Sequence, residues 1–376
     1  MGPIRMVDLH GQYLKIKSDI DSAIQDVLNE TAFIQGRHVK EFETALAEYA
    51  GVGHVISCAN GTDALQIALM SLDLQPGDEV ILPVFTYVAT AEVIALLRLK
   101  PVFVDVDART FNIDVGQVRE KLSPKTRAIV PVHLFGQCAD MEPLLDLASA
   151  HNVAVIEDAA QSLGASYRFH DGRSVAAGAI GHIGCTSFFP SKNLACFGDG
   201  GAILTNDKNL GEKLRMIANH GQKIKYHYDL VGVNSRLDTL QAAVLQVKLR
   251  HLNHYTASRQ KAARHYDEAL TGIGGLLTPA RMENGTHAFN QYTLQIEDGQ
   301  RDALKAFLQS RSIPSMIYYP LPLHLQKAYA YAGYGEGAFP EAERLSKSVL
   351  SLPVHTEIST EQLDYICGAV RDFFKQ

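Results

Sequence analysis

The chain has 376 residues, 46% of them hydrophobic and 20% charged, enough for a large globular domain with a smaller one attached. A net charge of −6 argues against a broad nucleic-acid-binding surface but leaves room for a local basic pocket. The opening MGPIRMVDLHGQY lacks the apolar core of a secretory leader, and no segment nears the ~20 apolar residues that cross a bilayer, so a cytoplasmic protein is expected.

Leu14, Ile20, Ile24 and Val27 recur at helical spacing, and Val39, Phe42, Leu46 and Tyr49 form a second amphipathic stripe. After Gly53 short apolar runs alternate with helices. HVISCA reads as a strand, followed by a helix through Leu65, Ile67, Ala68, Leu69 and Leu72. EVILP is the next strand, and a helix covers Ala89 to Leu99. PVFVDVD, AIVPVH and VAVIED repeat the theme, with a helix from about Glu142 to His151 between the last two. Strands apolar on successive residues are those covered by helices on both faces, so this region predicts a doubly wound, mostly parallel α/β sheet domain.

From about residue 245 the texture changes. A long helix is predicted through the 240s and 260s, then a strand (HAFNQYTLQI), a helix near 301–310, a strand (SMIYYP) and closing helices near 340–350 and 360–374. The expected division is a large domain over 1–250 and a small C-terminal α+β domain over 251–376.

Doubly wound sheets bind ligands beyond the carboxyl ends of their strands, so polar residues there carry most weight. Asp158 directly follows VAVIE. It is either a helix N-cap or a carboxylate that keeps a pyridinium nitrogen protonated, as pyridoxal phosphate requires to act as an electron sink. Lys192 lies in TSFFPSKNL, between an aromatic-rich strand and the glycine-rich CFGDGGAI. A desolvated amine there would have a lowered pKa suited to holding an aldehyde cofactor. In ANGTDAL, Asn60, Gly61 and Thr62 fall between a strand and a helix, where backbone amides and a hydroxyl meet a phosphate at the helix's positive end. A plain capped helix start would look the same. GDGGA precedes a strand, so it is read as a turn with no cofactor role of its own. PVFTYVATAE offers aromatic faces for a flat ring, Tyr87 being preferred over Phe85. The five cysteines (Cys58, Cys138, Cys185, Cys196 and Cys367) are scattered and read as free buried thiols. His182 and Cys185 have a spacing a metal could use, but no second ligand pair follows, so no metal is expected.

Taken in order, ANGTDAL, FTYVATAE, VIEDAAQS, TSFFPSKNL with GDGGA, and GVNSRLDTLQAA resemble the motif series of the nucleotide-sugar aminotransferases of the DegT family. The resemblance runs from the first helix to the LPVH segment. It implies the type I (aspartate-aminotransferase) fold of pyridoxal-phosphate-dependent transferases, and a homodimer with shared active sites. It also implies transamination from an amino acid to a keto nucleotide-sugar in polysaccharide biosynthesis. By motif match, Lys192 holds the cofactor and moves the proton, and Asp158 pairs with the pyridine nitrogen. Gln161 faces the ring hydroxyl, Thr62 and Ser187 bind the phosphate with Gly61 beside them, Tyr87 stacks on the ring, and Asn234 reaches the phosphate from the other subunit. HGQ (from His220), GVNSRLD and the Tyr318–Tyr319–Pro320 stretch most resemble the branch acting on UDP-2-acetamido-2-deoxy-3-oxo-glucuronate, with glutamate as donor. In that branch, residues matching His220, Arg236, Tyr318 and Tyr319 lie at the sugar-nucleotide site, although some members carry histidine where Tyr318 stands. Arg236 suits a uronate carboxylate because its planar fork binds bidentately, while an ion pair with Asp238 is the bland alternative. RFHDGRSVAAGAIGHIG is expected to shape a loop near the site.

Three rival readings fit the residues less well. Sugar dehydratases of this fold replace the lysine by histidine, so Lys192 argues against one. A non-catalytic ligand-binding protein on the same fold would not need the full set of cofactor residues. A nicotinamide enzyme would need a GxGxxG between a strand and a helix, which is missing.

Overall fold

A computed structural model describes residues 2–375. Three helices, α1 (Leu9–Lys15), α2 (Lys17–Glu30) and α3 (Arg37–Ala50), precede the first strand. In α3, Phe42 and Leu46 stand one turn apart and are buried, as the apolar stripe requires. The chain then alternates β1 (His54–Cys58), α4 (Gly61–Met70), β2 (Glu79–Pro83), α5 (Ala89–Leu96), β3 (Lys100–Val104), α6 (Val115–Lys121), β4 (Thr126–Ile129), α7 (Met141–His151) and β5 (Ala154–Asp158). A hairpin, β6 (Ser166–Arg168) and β7 (Ser174–Ala176), leads to β8 (Ile183–Ser187), β9 (Gly201–Thr205) and α8 (Lys208–Ala218).

Seven of these strands form one sheet in the order β1-β9-β8-β5-β4-β2-β3. From β8 to β3 every pairing is parallel, whereas β9 runs antiparallel to both β1 and β8. Helices cover both faces. Leu65, Ala68, Ile94 and Leu214 pack on one side, and Val118, Met141 and Leu144 on the other. This is the expected doubly wound, mostly parallel sheet, and its parallel strands aim their carboxyl ends at one rim.

Beyond α8 lie a short hairpin, β10 (Gln222–Ile224) and β11 (His227–Tyr228), and the helices α9 (Thr239–Leu249) and α10 (Leu252–Leu270). One long helix was predicted here. The break comes at Arg250–His251, where the His251 N–H bonds the Lys248 carbonyl three residues back and tightens the turn. A second core of Tyr266, Tyr292, Leu304, Leu350 and Ile366 is built by α10, β12 (Leu276–Leu277), β13 (Tyr292–Ile296), α11 (Arg301–Ser310), β14 (Val349–Leu352) and α13 (Thr360–Phe374). SMIYYP is not a strand. Met316 makes one isolated bridge to Ser351, after which the chain turns toward the large sheet. The run predicted as a helix to residue 350 ends as α12 (Pro340–Ser348), and β14 follows it directly.

Two contacts stitch this later chain to the sheet rim. Leu323 N–H donates to the Val84 carbonyl at 3.0 Å. Buried Asp105, just past β3, accepts from Glu341 N at 2.9 Å and Ala342 N at 2.8 Å, capping α12 across the molecule. Leu323, Phe339, Ala342 and Leu345 accordingly pack in the same core as β2 and β3.

Strand β5 carries two adjacent acids. Glu157 is fully buried and accepts from Gly178 N (2.8 Å), Ile180 N (2.7 Å) and Gly181 N (2.6 Å). His133 Nε2 lies 2.7 Å from the same carboxylate, and because its Nδ1 accepts from Ala139 N, Nε2 is the ring nitrogen that donates. The glycine-rich 168–184 segment, expected as a loop near the site, therefore forms the β6–β7 hairpin and then wraps Glu157. Glycine is required at 184, where a Cβ would come within 1.9 Å of the Gly178 carbonyl oxygen. Glu157→Gln would turn an amide donor toward this ring of donors. It should lower unfolding stability by roughly 3 kcal/mol in urea titrations, since buried unpaired polar groups cost about 1–3 kcal/mol each.

Candidate active site

The carboxyl rim of the sheet brings together most of the residues singled out by sequence. Asp158 ends β5, and the parallel register sets it opposite Cys185 of β8. Directly after β8, the chain folds back on itself. Phe188 N bonds Gly200 O, Cys196 N bonds Phe188 O, and Lys192 N bonds Phe189 O. This closed loop is anchored by Asn193, whose side-chain amide donates to Ala288 O at 3.0 Å. Burial pushes the Lys192 amine down to about 8, and the nearby charge of Asp158 offsets part of that.

Asp158 is nearly buried and accepts two hydrogen bonds, from Thr90 Oγ1 at 2.8 Å and from Ala160 N at 3.2 Å. Gln161 is oriented by its neighbours. Its Oε1 accepts from Phe135 N at 2.7 Å, so its Nε2 faces Tyr319 and donates to that hydroxyl oxygen at 3.1 Å. Burial pushes the Tyr319 hydroxyl pKa up, so the group stays protonated and can donate onward. Tyr319 arrives from the segment misread as a strand and stands beside Tyr87, with ring centroids 6.3 Å apart. Of the two aromatic candidates, Tyr87 is 57% exposed and Phe85 only 1%. Tyr318 is half-buried and packs edge-on against Tyr319.

At the start of α4, Asn60 accepts from Asp63 N at 2.8 Å, leaving the first-turn N–H groups of Gly61 and Thr62 without an intrahelical acceptor. Ser187 closes on them, and a Cβ at Gly61 would lie 2.7 Å from Ser187 Cβ. Gly201, read with GDGGA as a turn, is the first residue of β9 and packs against the start of α4. A Cβ there would come within 2.4 Å of the Asn60 carbonyl, so this glycine lets the α4 turn settle against β9.

His220, Asn234 and Arg236 form a separate group beside the β10–β11 hairpin. Asn219 bridges Asn234, and His220 N bonds Val233 O at 2.9 Å. Both His220 and Asn234 are exposed. Arg236 lines a cleft of about 660 Å³ with Glu43, Ser57, Arg215 and Asn219, and neither Lys192 nor Asp158 lines it. No ion pair joins Arg236 to Asp238 among the described residues, where the basic partner of this region is instead Arg215, bound to Glu43.

The donor set fits pyridoxal phosphate. It offers a partly deprotonated buried amine, a carboxylate held ready for a ring nitrogen, open amides and hydroxyls for a phosphate, and an exposed aromatic face. Residues 14–371 match the DegT/DnrJ/EryC1/StrS aminotransferase family. The chain belongs to this family. It is 46% identical over 367 residues, 98% of this chain and 99% of the relative, to the UDP-2-acetamido-2-deoxy-3-oxo-D-glucuronate aminotransferase of Pseudomonas aeruginosa. It is also 46% identical, over 99% of both chains, to a pleiotropic regulatory protein of Geobacillus stearothermophilus. The crystal structure of S. venezuelae DesV in complex with a ketimine intermediate superposes with a TM-score of 0.95 at 37% identity, covering all of both chains. This DegT-family protein is thus a pyridoxal-phosphate-dependent sugar aminotransferase with the type I fold. No helix among its described residues is long and apolar enough to cross a membrane.

Sequence reasoning missed Thr90 and the Phe135 amide. The one available signal was a hydroxyl in the first turn of the helix that follows the aromatic motif. The lowered Lys192 pKa has a direct consequence for the cofactor-free protein. Its free-amine fraction rises through about pH 8, so the rate at which it captures added pyridoxal phosphate should rise with a midpoint near 8. A midpoint near the ordinary 10.5, followed by stopped-flow absorbance, would contradict the burial described here.

Proposed function

We propose that this enzyme transfers an amino group from glutamate to UDP-2-acetamido-2-deoxy-3-oxo-glucuronate, forming the 3-amino sugar for a surface polysaccharide. The observation that carries the substrate reading is Arg236, a half-buried guanidinium without an acidic partner among the described residues, lining an open cleft. A planar donor fork in such a place suits a uronate carboxylate. The Pseudomonas relative named for this sugar supports the same reading.

The site residues take the following roles. Bound pyridoxal phosphate supplies an electron-accepting ring and an aldehyde that receives the amino group. Asp158 holds the proton at its ring nitrogen, and Gln161 faces the ring hydroxyl. Gly61, Thr62 and Ser187 orient the phosphate, and Tyr87 covers one face of the ring. Lys192 Nζ holds the cofactor at rest and then moves the proton between the reacting carbons. Tyr318 and Tyr319 face the sugar nucleotide.

The second group of residues explains why we infer a homodimer. Arg236 lines a cleft that Lys192 does not, and His220 and Asn234 are exposed, so we read the three as serving a site completed by a second copy. Asn234 reaches the phosphate, and His220 and Arg236 reach the sugar nucleotide. The chain division near residue 250 would then separate a cofactor-binding domain from a small domain that delivers the tyrosines. A purely regulatory role, as the name of the Geobacillus relative suggests for that protein, would give no reason to keep a buried amine facing a carboxylate.

The test is spectroscopic. Glutamate should bleach the visible band of the lysine-bound cofactor, and the 3-oxo-glucuronate nucleotide should restore it. Lys192→Ala should abolish turnover, and normal cycling by that variant would sink the assignment. Arg236→Ala should cut kcat/KM for the uronate at least ~10-fold more than for a neutral 3-keto sugar nucleotide, as charged hydrogen bonds contribute ~1.5–3 kcal/mol. Equal losses on both sugars would remove the carboxylate role.

A further inference from the structure

We infer that Thr90 is a positioning residue for the cofactor, its hydroxyl fixing the plane of the Asp158 carboxylate that meets the ring nitrogen. The inference rests on the proposed pairing of Asp158 with that nitrogen.

The geometry is specific. Among the described residues, Asp158 Oδ1 accepts only from Ala160 N, two residues on, at a long 3.2 Å. One such local bond lets the carboxylate rotate about its last torsion, which is broad for Asp. Thr90 Oγ1 supplies the second bond at 2.8 Å, to Oδ2, from a different element of the fold. Two donors on two oxygens fix the plane. Thr90 is 1% exposed and Asp158 6%, so water competes little for either bond.

The bond is also unusual for its position. A threonine in a helix commonly turns its hydroxyl back onto the carbonyl four residues before it. Thr90 is the second residue of α5, the residue four back lies outside the helix, and the hydroxyl crosses to the end of β5 instead. Its single proton goes to the carboxylate, because an ionised acid only accepts. Oδ2 has a further lone pair for the proton on the ring nitrogen. Branching at Cβ restricts the side-chain rotamers and holds the hydroxyl on this line.

Tyr87 lies three residues earlier, in the loop that leads into α5. One stretch, from Phe85 to Thr90, therefore addresses the same flat ring twice, once through an aromatic face and once through the acid at its nitrogen. A change of loop position would disturb both together.

The test compares Thr90→Val, which keeps the shape and loses the hydroxyl, with Thr90→Ser, which keeps the hydroxyl and loses the methyl. Each is loaded with pyridoxal phosphate carrying nitrogen-15 in the ring. The readouts are the ring-nitrogen chemical shift and the rate of cofactor loss on dialysis. Thr90→Val should move the shift toward the unprotonated form and speed cofactor loss about tenfold, while Thr90→Ser stays near wild type. A valine variant with wild-type shift and retention would overturn the inference. So would a serine variant that behaves like valine, since packing rather than the hydroxyl would then be responsible. Thr90→Ala replaces valine if the latter does not fold. Asp158→Asn separates the two levels of the argument. If it leaves the ring-nitrogen shift unchanged, the pairing of Asp158 with the cofactor is wrong, whatever Thr90 does.

Discussion

A buried carboxylate, Asp158, and an amine at the same sheet rim whose charge burial disfavours, Lys192, impose the central constraint on this fold. Burial lowers the Lys192 amine to about 8, and the charge of Asp158 opposes part of that shift. Both groups need a place where two adjacent strands end together. Parallel pairing of β5 with β8 provides it, since parallel strands bring their carboxyl ends to one rim. The two antiparallel junctions of β9 fall on the far side of β8, where they turn the chain back beneath the lysine loop without interrupting that rim.

Around this pair, most of the positioning is done by main-chain groups. Phe135 N sets the direction of the Gln161 amide, Ala160 N holds one oxygen of Asp158, and the loop bearing Lys192 closes on its own carbonyls. Backbone donors lose little entropy on folding into such roles, because the strands and turns already fix them. The tyrosines come from farther away. Their segment is tied down on both sides, by Gln161 ahead of it and by the Leu323–Val84 bond and the Asp105 cap behind. The small α+β region is therefore continuous with the rim of the large sheet along this seam.

How much of this was legible depended on the range of the interactions involved. Asp158 and Lys192 stood out because each sits just beyond an apolar strand, where a charged side chain needs a reason to be. The α/β alternation was equally plain, for each strand is a short apolar run bounded by turn residues. The break between α9 and α10 left no mark, since Arg250 and His251 are ordinary helix residues and no Gly or Pro announces the turn. SMIYYP looked like a strand by composition, yet it makes one bridge to Ser351 and its Tyr319 is held by Gln161, far away in the chain. Thr90 was invisible for the same reason, as its partner is Asp158 and only the folded sheet brings them together. Gly201 was read as a mere turn because its neighbour Asn60 lies at the other end of the domain.

The neighbouring acids of β5 also bear on how the chain avoids a folding error. Side chains alternate across a strand, so Glu157 and Asp158 face opposite ways, one into a ring of amide donors and His133, the other toward Lys192. A one-residue slip of β5 between β4 and β8 would put either Asp158 or Ile156 where Glu157 belongs. The aspartate is too short for a nest shaped for glutamate, and the isoleucine offers no acceptor at all, so either slip leaves amides unpaired. Misregistered pairing thus disrupts a nest of four hydrogen bonds before any ligand is present. The acid that never touches the chemistry keeps its neighbour in register.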